Sequence, residues 1–67
     1  MIEYTYAQVY DQLRVIIEAG SVSTTLEDLD HAVGRYRQEE LDRKVRTASE
    51  DGPELIDVAL SFLYDLA

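Results

Sequence analysis

The chain has 67 residues, no cysteine, and 14 acidic against 6 basic side chains, for a formal charge of −8. Disulfide staples and thiolate metal sites are therefore excluded, and the negative field opposes general affinity for nucleic acid or anionic membrane. A chain this short buries only roughly 60% of the surface its unfolded form exposes, so one small domain over residues 1–67 is expected, strengthened by well-formed helices or by oligomerisation.

The first helix is predicted over residues 5–19. Tyr6, Val9, Tyr10, Leu13, Ile16 and Ile17 recur at helical spacing and share an arc of about 120°, one core-facing stripe with only Val15 opposite it. Thr5 with Gln8 reads as a capping box, and Gly20 fits the left-handed residue that ends a helix. The stretch "YAQVYDQLRVIIEAG" resembles the first helix of the exonuclease VII small subunit. Its offsets are those of any amphipathic helix, and the resemblance implies nothing about activity.

"SVSTT" is a short connection, and Thr24 with Glu27, or Thr25 with Asp28, offers the next cap. From there a second helix is predicted over 25–48, weakened only at Gly34. Its apolar pattern changes phase. Leu26, Leu29, Val33 and Tyr36 make one stripe, whereas Leu41, Val45 and Ala48 lie roughly 100° around from it on a straight helix. Either the helix bends near Gly34 or its halves face different neighbours.

"SEDGP" breaks the chain, and Pro53 suits the first turn of a third helix over 53–66. Its apolar residues, Leu55 to Leu66, spread over an arc of about 200°, too wide for one neighbour. No strand pattern competes. The expected fold is all-α: a small three-helix bundle, completed by dimerisation.

Little in the sequence carries chemistry. His31 lacks a second histidine four residues away and an orienting carboxylate at a workable offset, so it reads as a solvated surface residue. The acids of "LEDLDHAV" lack the alternation, glycine and terminal glutamate of a calcium loop, and complement a helix dipole instead. Gly20, Gly34 and Gly52 are isolated, and no phosphate-binding loop surrounds them. "EDLDH" also lacks the serine of an acyl carrier's attachment site. No catalytic residue, cofactor, metal or small-molecule substrate is expected.

The segment "RYRQEELDRKVR", Arg35 to Arg46, holds five of the six basic residues. Glu39 with Arg43, Glu40 with Lys44 and Asp42 with Arg46 stand four apart in the order that supports a helix, each worth about 0.2–0.5 kcal/mol. That leaves unexplained why bases are so rare elsewhere. Such segregation suits self-association, in which the strip of one copy meets the acidic surface of another. The function read from these features is a non-enzymatic protein–protein interaction module, a self-associating acidic regulator or small subunit. Its partner is protein, first of all a second copy, with no direct nucleic acid and no membrane. The expected contact residues are Leu41, Val45, Arg43, Arg46, Ile56, Leu60 and Leu63. The alternative is an acidic inhibitor that mimics nucleic acid, which requires Asp11, Glu18, Asp28, Glu50 and Asp57 to line one face. With no apolar run of signal-peptide length or of the ~20 residues that span a bilayer, a cytoplasmic location is expected. The acidic, arginine-rich balance would also suit a high-salt cytoplasm.

Overall fold

The computed structural model describes residues 4–66. They form four α-helices: α1 (Tyr6–Glu18), α2 (Leu26–Val33), α3 (Gln38–Ala48) and α4 (Leu55–Leu66). There is no strand among the described residues.

The ends of α1 follow its sequence closely. The Thr5 hydroxyl accepts the Gln8 amide at 3.2 Å while the Gln8 side chain accepts the Thr5 amide at 2.8 Å, closing the capping box. At the other end Gly20 takes φ +75°. The Gly20 amide donates to the Ile17 carbonyl and the Ser21 amide to that of Ile16, which satisfies two carbonyls left open by the last turn. Val9, Leu13 and Ile16 are buried, and Val15 is exposed.

The expected second helix is two helices, so the bundle has four helices and not three. After Val33 the chain tightens through bonds from the Arg35 amide to Ala32 and from the Tyr36 amide to Val33, and Arg37 is then extended at φ −79° and ψ 158°. A carboxylate oxygen of Glu40 accepts the Arg37 amide at 3.3 Å and caps α3. Arginine has no acceptor, so this is half a capping box. The break resolves the phase change: a straight helix would hold the two stripes apart, whereas two helices can each turn their stripe inward. Leu29 of α2 and Leu41, Val45 and Ala48 of α3 all enter one core.

The last helix also starts later than expected. The Val58 amide bonds to the Glu54 carbonyl, so Pro53 precedes the helix and does not open it. The connection before it is folded onto neighbouring elements. Ser61 donates to the Asp51 carboxylate, and the Tyr4 hydroxyl donates to the Pro53 carbonyl. A Cβ at Gly52 would lie 2.5 Å from the Asp57 Cβ, so this approach requires glycine. Gly52→Ala should cost about 1–3 kcal/mol by forcing the first turn of α4 away, read as a lower urea midpoint. Asp57→Ala, which keeps its Cβ, should not restore it.

The core is one continuous cluster around α4, which packs on α1 and on α3, and these two also touch. Val58, Ala59, Phe62 and Leu66 are its buried face. The Phe62 ring lies 6.0 Å from that of Tyr6, tilted by 58°. No polar or charged residue is buried among the described residues.

Candidate protein-docking face

Two of the expected contact residues lie elsewhere than expected. Leu41 and Val45 are 5% and 1% exposed, inside the chain's own core. The phase change that marked them as a separate contact is absorbed by the break at residues 34–37, which turns their face inward.

What stays open is on α4. The core takes the side carrying Val58, Ala59, Phe62 and Leu66, about half of the apolar arc. Ile56, Leu60 and Leu63, spaced four and three apart, form the adjoining stripe: Ile56 is 43% exposed, and Leu60 and Leu63 are half-buried. Beyond Leu63 stands Tyr64, 83% exposed. The stripe continues into a groove of about 630 Å³ between α2 and the end of α4. Leu63, Tyr64 and Leu66 line one side; Val22, Leu29 and Ala32 line the other, with Asp28 and Arg35 as the charged residues.

The basic strip is not the set of ion pairs that its spacing suggests. The pairs Glu39–Arg43, Glu40–Lys44 and Asp42–Arg46 are all open beyond 4.0 Å, and Arg14 with Glu18 at 3.9 Å is the one ion pair among the described residues. Glu40 is engaged at the cap, and Asp42 accepts from the Gln38 side chain at 3.1 Å. Lys44 reaches across instead: its ammonium is 4.8 Å from the Tyr36 ring centre and 3.5 Å from the Asp65 carbonyl oxygen. Arg37, Arg43 and Arg46 are exposed. Arg43 and Arg46 lie on the side of α3 opposite its buried stripe.

The acids form no single face along one element. Asp11, Glu18, Asp28, Glu50 and Asp57 are exposed, but they are distributed over α1, α2, the α3–α4 connection and α4. Among the described residues no three histidine or carboxylate side chains converge to hold a metal, and His31 is exposed. No helix among them is long and apolar enough to cross a membrane.

One polar contact ties α2 to α1: the Tyr10 hydroxyl donates to the Asp30 carboxylate. That bond, then burial and the Asp30 charge, hold the Tyr10 hydroxyl above the ordinary phenol range; Tyr6 is raised by burial and then by Asp30. Because the folded value is the higher one, this contribution is complete below about pH 10 and is lost as pH rises through the raised value.

The sequence pattern marked Arg35 only as one end of the basic strip, and it did not single out Tyr64, Val22 or Ala32. Only Tyr64 left a trace, as an aromatic residue beside the apolar arc of the last helix. Compared with protein-family models, curated proteins and solved structures, the chain has no match.

Proposed function

We propose that this chain is a non-enzymatic cytoplasmic module that acts by binding protein, and that it self-associates through the open stripe of α4. The observation that carries this reading is the alignment of Ile56, Leu60 and Leu63, continuous with Tyr64 and the groove, on a helix whose other side is already committed to the core. An apolar stripe beside an exposed aromatic residue is the composition of a protein contact. The arginines of α3 support a second copy as partner. Among the described residues no carboxylate lies within 4.0 Å of Arg43 or Arg46, while the rest of the sequence is rich in acids.

Light scattering after gel filtration tests this directly. At micromolar concentration the species should have twice the 7.7 kDa chain mass. A mass of one chain up to several hundred micromolar would overturn self-association.

A further inference from the structure

The helix α2 is the least anchored of the four. An eight-residue helix does not persist alone in water, so it depends on what it touches. It buries one side chain, Leu29, and ten of the eleven buried hydrophobic residues belong to the other helices. Whereas α4 packs closely on α1 and α3, α2 touches all three only sparsely. One side-chain hydrogen bond, Tyr10 to Asp30, joins it to another helix. Toward α4 the space is not filled, and the 630 Å³ groove lies there. At its ends are the connection containing Gly20 and the break at residues 34–37.

We infer that α2 is a hinged flap, which detaches as a unit from a core of α1, α3 and α4 that stays folded, and so uncovers Leu63 and Leu66. Sparse contacts and a single buried side chain place a segment at the low end of local stability, where opening precedes global unfolding. Tyr10 with Asp30 is the latch. The inference rests on packing alone, whatever docks in the groove.

Native-state hydrogen exchange of the full chain, read residue by residue by NMR, tests it. The amides of Leu29 and Gly34, bonded to the Thr25 and Asp30 carbonyls, report on α2. The slowest amides of α1 and α4 report on global unfolding. In low urea the α2 amides should exchange faster than these, with little dependence on urea, because a local opening exposes little surface. Ala48→Gly should accelerate the slowest core amides roughly fivefold and leave the α2 amides unchanged, since α3 stays folded when the flap opens. Tyr10→Phe, which removes a bond present only in the closed state, should accelerate the α2 amides roughly three- to tenfold. If the α2 amides follow urea and Ala48→Gly as the core does, α2 unfolds only with the whole chain and the flap is overturned. If Tyr10→Phe leaves them unchanged, the latch is overturned.

Discussion

Phe62→Ala should leave this chain largely unfolded, or lower its melting midpoint by roughly 15–30 °C. Phe62 is fully buried on the helix that both α1 and α3 pack against, with the Tyr6 ring beside it. Truncating a buried phenylalanine costs about 3–5 kcal/mol, part of it from the cavity left behind. A domain of this length has a total stability of only roughly 3–10 kcal/mol, taking about 0.05–0.15 kcal/mol per residue. Thermal melts followed by circular dichroism measure the effect. Phe62→Leu, which keeps most of the volume, should fall between wild type and alanine. Tyr64→Ala, two residues on but exposed, should change stability by less than about 0.5 kcal/mol. A loss below about 1 kcal/mol for Phe62→Ala would mean that α4 is not the centre of the core.

The stripe of α1 was legible because it is local. Its apolar residues repeat at the helical period, its cap is formed by Thr5 and Gln8 three residues apart, and Gly20 supplies the one left-handed residue. The break between α2 and α3 was only half legible. The phase change between Leu29 and Leu41 announced that a straight helix would not bury both, yet no proline marks the place and Arg37 is an unusual residue to begin a helix. The cap comes from Glu40 reaching back, an interaction that helical charge pairing disguised as support for Lys44.

The candidate face on α4 was legible in the same partial way. The wide arc of the last helix announced more apolar surface than one neighbour covers, but how the arc divides depends on where α1 and α3 settle against it. Hence Phe62 and Val58 went inward, Ile56 stayed out, and Leu41 and Val45 were taken into the core. The groove draws on Val22 and Ala32 from one side and Leu63 and Leu66 from the other, more than thirty positions along the chain. Nothing in a local pattern records such a meeting.

If two copies meet through α4, Ile56→Glu should weaken their association at least roughly 100-fold, because it puts an unpaired carboxylate into a contact that excludes water. The single chain should keep its fold, since Ile56 is already 43% exposed. The arginines ask a separate question about the same complex. Arg43→Glu and Arg46→Glu, singly and together, break no ion pair within 4.0 Å among the described residues, so the melting point should hardly move. If these side chains meet the acidic surface of the second copy, association should weaken about tenfold or more per substitution, as like charges then face each other. Each single change also makes the chain two charges more negative, and Arg14→Glu, at an exposed position of α1 outside the basic strip, does the same, so it serves as the control for general repulsion. Dissociation by dilution should be measured at 0.1 M and 1 M salt, where screening lengths are about 10 Å and about 3 Å. The excess defect of Arg43→Glu over Arg14→Glu should be large at the lower concentration and shrink at the higher. Equal defects for the two would leave α3 out of the contact, and normal association of Ile56→Glu would remove α4 from it.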